Sequence, residues 1–217
     1  MALIALIPAR GRSVGIPKKN LAILNGFPLI QYTLEVAKNV CDLVIVTSDD
    51  HQILKLASKF GAIAVKRPPN LSMSSSSTED AIMHATVSYE NDHKIVLLQP
   101  TSPLRSETDV IETVSLLENG YDSSFSAYKT GDLCVWKQEN GSNYPVTYSP
   151  IGRKPRQLAN TLYVENGAVY AFQLGNFRSA RCRMHGKVGM YEMPRERSLE
   201  IDEPCDLIMA EALLCRK

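Results

Sequence analysis

The amino-acid sequence lacks an excess of charge of either sign, and this balance excludes several kinds of partner. Its 217 residues include 24 lysines and arginines against 23 aspartates and glutamates, a formal net charge of +1 at pH 7. Such a chain has no general attraction for nucleic acid or for an anionic membrane surface. We therefore expect neither partner, and basic residues should matter only where they cluster.

Long apolar runs are also missing. No stretch approaches the roughly 20 apolar residues that a transmembrane helix needs. The first apolar run, Ala2 to Ile7, follows no positively charged segment and ends at Pro8. A secretory signal peptide has a positive start and a longer apolar centre, so we expect none.

Cysteine is scarce and shows no spacing typical of a metal site or a disulfide framework. The five residues are scattered, with no CxxC pair: Cys41, Cys134, Cys182, Cys205 and Cys215. An odd and scattered set favours reduced thiols over disulfides. The sequence thus predicts a cytoplasmic protein, long enough to bury a full core.

What the sequence does contain at its start is an apolar strand followed by a basic loop. The run from Ala2 to Ile7 is typical of a strand buried on both faces. Residues 8–20 (PARGRSVGIPKKN), which we call the basic loop, combine cations, a hydroxyl and two glycines. Loops of this kind hold phosphates in α/β proteins. The loop lacks the GxxxxGK[ST] and GxGxxG patterns, so a solvated turn is the simpler interpretation for any single residue in it.

Four repeats of strand, loop and helix follow from the apolar periodicity. Apolar runs predict buried strands at 2–7, 43–47, 62–65 and 95–98. Helical spacing and capping residues predict helices near 28–39, from Ile53 to Phe60, from Thr78, and from Ser106 to the residue before Gly120. This alternation predicts an α/β fold with a doubly wound, mostly parallel sheet of the Rossmann type and right-handed crossovers.

Polar residues stand at the carboxyl ends of these strands: Arg10, Asp49, Arg67 and Gln99. Because the carboxyl ends of parallel strands share one edge of a sheet, we expect these side chains to gather there. Asp49 has a second interpretation, as the N-cap of the helix that follows it. The polar loop at 70–78 lies between two regular elements and is more typical of a site than of a linker.

The regular alternation of strands and helices ends at about residue 122. Short strands are predicted at 123–129, 133–137, 146–149, 167–172 and 188–193, with a turn at 139–141 and a closing helix at 204–214. Residues 150–165 are irregular and basic, and cannot bury much of themselves alone. We therefore predict a single domain, 1–217, in which 122–165 is a small β-rich extension that packs on the main sheet or on another subunit.

Several motifs in order resemble the acylneuraminate cytidylyltransferases. They are PARGRSVGIPKKN (8–20), VTSDD (46–50), LQPTSPLR (98–105), NGAVY (166–170) and SLEIDEPCDL (198–207). This family, which includes the CMP-sialic acid synthetases and relatives acting on legionaminic and pseudaminic acids, has a nucleotide-diphospho-sugar transferase-like fold. The resemblance covers essentially the whole chain. It implies coupling of CTP to the anomeric hydroxyl of a nine-carbon 2-keto acid sugar, release of pyrophosphate, use of Mg²⁺ and a homodimer in which 122–165 serves dimerisation and sugar binding.

The resemblance assigns the nucleotide to the strand-end loops. Arg10 and Lys19 should grip the triphosphate, acting as catalytic residues that stabilise charge on the leaving pyrophosphate. The other expected nucleotide-binding residues are Gly11, Arg12, Ser13, Asn20, Arg67, Ser76 and Thr78. Asn20 and Thr78 have a second interpretation, as helix N-caps.

By the same resemblance, Glu200 and Asp202 are the expected Mg²⁺ ligands, and Asp202 is also expected to be catalytic. Two residues apart in an extended segment, their carboxylates share one face. Mg²⁺ is usually bound by one or two carboxylates together with substrate phosphates. The family has aspartate at both positions, so Glu200 is a departure. Without the motif, two surface carboxylates before a helix would be the simpler interpretation.

Gln99, Arg156 and Tyr170 match family positions around the acidic sugar. An arginine suits a carboxylate through paired hydrogen bonds. Arg156 lies in a segment that, in the family, crosses to the dimer partner. It is therefore open whether Arg156 contributes to the site of its own subunit or to that of the neighbouring subunit. Tyr170 is equally interpreted as a core aromatic residue on a buried strand.

Two further departures motivate the alternatives. The family usually has lysine where this chain has Val14, and Arg12 would restore the missing positive charge. The family also tends to have aspartate where this chain has Ser74. Together with Glu200, they leave open a non-catalytic nucleotide-binding protein on the same fold. Within the enzyme class, the alternative is a cytidylyltransferase for the eight-carbon acid Kdo.

Overall fold

The computed structural model describes residues 1–13, 15–131, 134–153, 155, 158 and 161–215. These ranges contain eleven strands and six α-helices. The strands are β1 (Leu3–Pro8), β2 (Ile23–Leu24), β3 (Phe27–Pro28), β4 (Leu43–Ser48), β5 (Ile63–Lys66), β6 (Lys94–Leu98), β7 (Ser123–Thr130), β8 (Trp136–Glu139), β9 (Ser142–Pro145), β10 (Leu162–Gln173) and β11 (Val188–Glu192). The helices are α1 (Leu29–Val40), α2 (His51–Lys59), α3 (Thr78–Ala85), α4 (Glu107–Glu118), α5 (Leu174–Ala180) and α6 (Pro204–Leu214).

Seven strands form one sheet in the order β11-β7-β10-β6-β1-β4-β5. The pairs β1–β4, β1–β6, β4–β5 and β7–β11 are parallel, whereas β10 runs antiparallel to both of its neighbours. The predicted α/β architecture with a mostly parallel sheet is confirmed, and β10 is its antiparallel member.

Helices cover both faces of the sheet because alternate strand residues point to opposite sides. In β1, Ala5 and Ile7 belong to the core cluster that includes residues of α1, α2 and α4. Ile4 and Leu6 belong to the cluster on the other face, with residues of α3 and α5. Burial on both faces is the reason that these strands are continuous apolar runs. The sequence pattern did not predict α5, which is short.

The loops after neighbouring strands begin side by side. The N–H of Ala9 donates to the carbonyl of Thr47 at 3.0 Å, and the N–H of Arg67 donates to the carbonyl of Ser48 at 2.8 Å. The parallel strands therefore deliver the basic loop and the polar residues that follow β4 and β5 to one edge, as predicted.

The extension differs from the prediction in its strand boundaries. The hairpin consists of β8 and β9, around a turn at Asn140 and Gly141. The strand predicted at 133–137 overlaps β8, which begins at Trp136, and residue 133 lies outside the described residues. The strand predicted at 146–149 is wrong, because β9 ends at Pro145. Both turn residues have positive φ, 50° and 77°. Such a turn closes a two-residue loop, so pairing begins directly beside it, between Glu139 and Ser142.

The predicted irregular segment 150–165 is also wrong at its end, because β10 starts at Leu162. Leu162 to Glu165 pair with β7, and the register shifts between Glu165 and Tyr170. Thus β7 and the start of β10 belong to the central sheet, and the hairpin forms a separate two-stranded sheet. Across the described part of the chain, no helix is long and apolar enough to cross a membrane.

Candidate active site

A cavity of about 340 Å³, the main cavity, opens at the carboxyl edge of the sheet. It is lined by residues from three separate loops, among them these sequence-predicted site residues: Arg10, Ser13, Lys19, Asn20, Arg67, Ser76, Thr78 and Gln99. Residues 89 positions apart along the chain thus share one wall because the strands that precede them are parallel or adjacent.

The remaining predicted residues lie beside the main cavity or outside it. Gly11 and Arg12 line a neighbouring cavity of about 510 Å³, and Arg12 also lines one of about 770 Å³ that shares Arg10 and Arg67 with the main cavity. Tyr170, Glu200 and Asp202 do not line the main cavity. Arg156 and Val14 lie outside the described residues.

The basic loop is held by polar contacts to its own backbone. Asn20 is buried, and its side-chain amide donates to the carbonyl of Arg10 at 2.8 Å. The N–H of Gly11 donates to Oδ1 of Asp49 at 2.8 Å. A carbonyl and an N–H at the start of the loop are therefore already paired, and this fixes where the Arg10 side chain leaves the backbone.

The helix-cap interpretations of Asp49 and Asn20 are wrong. The N-cap of α2 is Asp50, whose carboxylate accepts from the N–H groups of Gln52 and Ile53. Asp49 instead holds Gly11. Asn20 lies inside the short 3₁₀ helix Lys19–Leu21, whose N-cap is Lys18. Both side chains serve the loop rather than a helix end.

The polar loop after β5 forms the opposite wall. Ser77 is the N-cap of α3, so the N-cap interpretation of Thr78 is wrong, and Thr78 lines the main cavity. The hydroxyl of Ser76 accepts from the N–H of Met73 at 3.1 Å and donates to the carbonyl of Asn70 at 3.0 Å. Ser76 therefore also shapes the loop that it was expected to present to a nucleotide.

Arg67 is a buried cation in the cavity wall, with 6 % of its surface exposed. Its Nη2 donates to the carbonyl of Thr47 at 2.7 Å, and its Nε donates to the hydroxyl of the same residue at 3.3 Å. Burial lowers the pKa of this guanidinium, Asp49 opposes the shift and Arg10 adds to it. An anion in the cavity would relieve the repulsion between the two arginines.

The two predicted metal ligands lie at the rim, and each touches a residue of the main cavity. Asp202 pairs with Nζ of Lys19 at 2.8 Å. Glu200 accepts from the hydroxyl of Thr101 at 3.2 Å, and burial followed by repulsion from Asp202 raises its pKa. Gly15 packs so closely on this segment that a Cβ there would collide with the carbonyl of Asp202. The basic loop is therefore in direct contact with residues 195–203, which carry Glu200 and Asp202 and which we call the carboxylate segment.

No group of three or more His, Cys, Asp or Glu side chains in the described ranges could hold a metal ion. The pair at the rim supplies two carboxylates. Mg²⁺ commonly takes one or two carboxylates and completes its shell with water and phosphate oxygens. The residues present therefore fit a metal that is bound together with a phosphate-bearing ligand.

Tyr170 lies in the core, as its second interpretation, a core aromatic residue on a buried strand, predicted. It is 2 % exposed, its hydroxyl donates to Glu165, and its ring lies 4.6 Å beneath the guanidinium of Arg183. Arg183 in turn donates to Glu79 at 2.7 Å. Arg183, which sequence reasoning missed, thus covers Tyr170, and contact between Tyr170 and a sugar stays a prediction.

A second arginine missed from the sequence lies under the main cavity. Arg105 ends the QPTSPLR motif and is buried, and it donates to the carbonyls of Gln99, Ser102 and Ala168, among others. Burial lowers the pKa of its guanidinium to about 9. The motif itself was the available signal: an arginine that closes a strand-end turn can donate to several carbonyls at once, because its guanidinium has five N–H groups.

A buried ion pair anchors the carboxylate segment. Asp109 of α4 is fully buried and accepts from Nε and Nη2 of Arg197 at 2.9 and 2.7 Å. Burial alone would raise the pKa of Asp109, but hydrogen bonds from Arg197 and Ser106 outweigh this effect and hold the pKa below its ordinary value. Farther along, the N–H of Ile201 donates to the carbonyl of Thr101 at 2.7 Å. Glu200 and Asp202 are thereby fixed against the Gln99 loop.

Comparison with known proteins gives the same family over nearly the whole chain. A family model described as "Cytidylyltransferase" matches residues 4–213. The N-acylneuraminate cytidylyltransferase A of Danio rerio is 36% identical over 98% of this chain and 50% of its own length. The N-acylneuraminate cytidylyltransferase of Escherichia coli O18:K1:H7 is 30% identical over 99% of this chain and 52% of its own length. The chain spans about half the length of these curated relatives.

Solved structures show the same fold at low sequence identity. A CMP:2-keto-3-deoxy-manno-octonic acid synthetase complexed with CTP aligns with a TM-score of 0.69 at 19% identity, covering 100% of this chain and 99% of that one. A 4-diphosphocytidyl-2C-methyl-D-erythritol synthase aligns with a TM-score of 0.72 at 16% identity, covering 98% and 97%. Because the family model described as "Cytidylyltransferase" matches residues 4–213, nearly the whole chain, the chain belongs to the cytidylyltransferase family.

Proposed function

We propose that the protein transfers CMP from CTP to the anomeric hydroxyl of a sialic acid-like nonulosonic acid and releases pyrophosphate. The observation that carries the proposal is the main cavity, where Arg10 and Lys19 of the basic loop meet Arg67 and Gln99 from the loops after β5 and β6. The names of the curated relatives support the sialic acid class. The oxygen of the sugar hydroxyl forms the new bond to the α-phosphorus, and the bond from that phosphorus to the bridging oxygen of pyrophosphate breaks.

Phosphoryl chemistry of this kind depends on positioning and charge neutralisation more than on covalent catalysis. The side chain of Arg10 makes no hydrogen bond or ion pair with another described residue, which leaves its charge available to a phosphate. Lys19 of the same loop lines the same cavity. Arg67, held by Thr47, would face the nucleotide with a fixed orientation. The loop 70–78 would close over the base or ribose.

Mg²⁺ is part of the proposal, and Glu200 and Asp202 are the residues that would hold it. Mg²⁺ would supply neutralisation of phosphate charge. Of the two carboxylates, Asp202 is the more exposed, with 65 % of its side chain accessible, and it points toward Lys19. Glu200 is tied to Thr101, so its reach is limited.

The acceptor sugar would lie on the side of Gln99, near Gly167, where the register of β10 with β7 shifts. A Cβ at Gly167 would come within 3.1 Å of the Gln99 amide oxygen and 3.2 Å of a Glu200 carboxylate oxygen, and its φ is +65°. Glycine there keeps the space between these two side chains free. Dimerisation, a role for Arg156 and a cytoplasmic location stay predictions.

The test is a pyrophosphate-release assay with CTP, Mg²⁺ and a panel of acids: sialic, legionaminic and pseudaminic acids, and the eight-carbon Kdo. We expect release with at least one nine-carbon acid. Preference for Kdo would replace the substrate class and keep the reaction. No release with any acid, together with CTP binding by calorimetry that ignores Mg²⁺, would mean a non-catalytic nucleotide-binding protein.

A further inference from the structure

The ammonium of Lys19 is the cation that Asp202 holds at the rim in this structure. Its Nζ lies 2.8 Å from Oδ1 of Asp202. The same charge lowers the pKa of Glu200, against the larger effects of burial and of Asp202. Lys19 therefore neutralises the pair in the position where a metal cation is otherwise expected.

We propose that Lys19 and the divalent cation compete for Asp202, so that Lys19 leaves this carboxylate for the phosphates when a metal–nucleotide complex binds. The proposal rests on the proposed function, since it takes Asp202 as a metal ligand. Its new content is a change of partner by Lys19. Because of this competition, the protein should bind the free metal ion weakly and the metal–nucleotide complex tightly.

Burial explains why Lys19 needs an anion in both states. Its side chain is only 14 % exposed. A charged group at such a position is costly unless it is paired. A metal ion that took Asp202 without nucleotide would leave the ammonium without its partner and close to a second positive charge. A nucleotide removes this penalty because its phosphates offer new acceptors.

The local structure allows the side chains to exchange partners while the backbone stays fixed. The N–H groups of Asp202 and Glu203 both donate to Oδ2 of Asp206, at 2.9 and 2.8 Å. Lys19 lines the main cavity as well as touching Asp202. Its flexible stem and three donors suit it to a change of acceptor.

The experiment measures binding of Mn²⁺, used as the probe cation, by the electron paramagnetic resonance signal of the free ion. Without nucleotide, Lys19→Met is expected to bind Mn²⁺ about fivefold more tightly than the parent, since one cationic competitor is removed. With CTP and no acceptor sugar, the same variant is expected to bind the Mn²⁺–CTP complex about fivefold more weakly. The opposite signs in one variant distinguish competition from general damage.

Lys18→Met is the matched control. Lys18 is the adjacent cation, but its ammonium donates to Oε1 of Gln52 at 3.0 Å rather than to Asp202. This variant loses the same net charge, so a change of less than about twofold in both affinities separates the contact from long-range electrostatics. Lys19→Gln should reproduce the signs of Lys19→Met, and thermal unfolding checks that each variant is folded.

Unchanged or weaker Mn²⁺ binding by folded Lys19→Met and Lys19→Gln overturns the competition. Asp202→Asn separates this result from a failure of the metal site. Loss of Mn²⁺ binding in Asp202→Asn keeps the proposed metal ligand and confines the failure to Lys19. Parent-like Mn²⁺ binding in Asp202→Asn overturns both the metal assignment and the competition.

Discussion

Two sets of charged side chains meet at the carboxyl edge of the sheet, and they differ in what surrounds them. The lower set, Arg105 with the pair Asp109–Arg197, is largely buried and bonded to carbonyls or to opposite charge. The upper set, Arg10 and the pair Lys19–Asp202, lies at the main cavity and its rim. The difference teaches that charge at the same edge can serve stability or ligand binding. Changes in the lower set should therefore cost free energy of unfolding, and changes in the upper set should cost affinity and rate.

The largest expected effect is in the lower set. Asp109→Asn should lower the free energy of unfolding by about 3 kcal/mol, because it leaves the Arg197 guanidinium without its charge partner beside a buried amide. Denaturant unfolding measures this. Glu112→Gln, which changes an exposed acid on the same helix, is the control and should change little. If the two variants are equally stable, the buried lower set does not stabilise the fold in the way that we infer.

The same pair predicts a pH dependence. The pKa of Asp109 is lower in the folded protein than its ordinary value of 3.8. Such a group binds fewer protons when folded, so its stabilisation is complete above the unfolded pKa and is lost as the pH falls below it. The gap in stability between parent and Asp109→Asn should therefore narrow from pH 7 to pH 3. A constant gap over that interval contradicts the assignment.

In the upper set, Asp202→Ala should lower Mg²⁺-dependent turnover by at least about a hundredfold, since a metal ligand contributes several kcal/mol to charge stabilisation. Its unfolding free energy should fall by only about 1 kcal/mol, because Asp202 is exposed and the lost ion pair with Lys19 is a partly solvated one. The pyrophosphate assay and denaturant unfolding on one preparation give both values. Glu196→Ala, an exposed acid earlier in the same segment, should leave both unchanged.

A smaller effect is expected for Arg12→Ala. Arg12 is exposed and lines the cavities next to the main one, so its loss should raise the Michaelis constant for CTP about threefold to fivefold and leave the turnover number nearly unchanged. Lys18→Ala is the matched control. If both constants of Arg12→Ala equal those of the parent, the idea that Arg12 replaces the lysine missing at Val14 is wrong.

The smallest effect on folding is expected in the hairpin of β8 and β9. Trp136 is 49 % exposed, and its indole N–H donates to the hydroxyl of Tyr148 at 2.9 Å. Trp136→Ala should lower the free energy of unfolding by less than about 1 kcal/mol, because its hairpin forms a two-stranded sheet separate from the central sheet and its core. Analytical ultracentrifugation of the same variant tests the predicted role in dimerisation. An unchanged self-association constant argues against it.

The local sequence pattern predicted most of the regular architecture. Apolar runs located β1, β4, β5 and β6, since strands buried on both faces have no other pattern. Strand-end positions placed Arg10, Arg67 and Gln99 together, because parallel strands share an edge. The pattern failed where pairing is set by distant residues, as in residues 162–165 of β10, which pair with β7.

By itself, then, the sequence determined the alternation of central strands and helices from β1 to α4, the edge at which the candidate site lies and the motifs that resemble the family. Only the tertiary structure decided how the side chains use that edge. It buried Tyr170 beneath Arg183, turned Asn20 onto the carbonyl of Arg10, and paired Lys19 with Asp202 across 183 residues of chain. The physical reason is range: periodicity and capping act within a few residues, whereas hydrogen bonds and ion pairs between distant segments depend on where packing puts them.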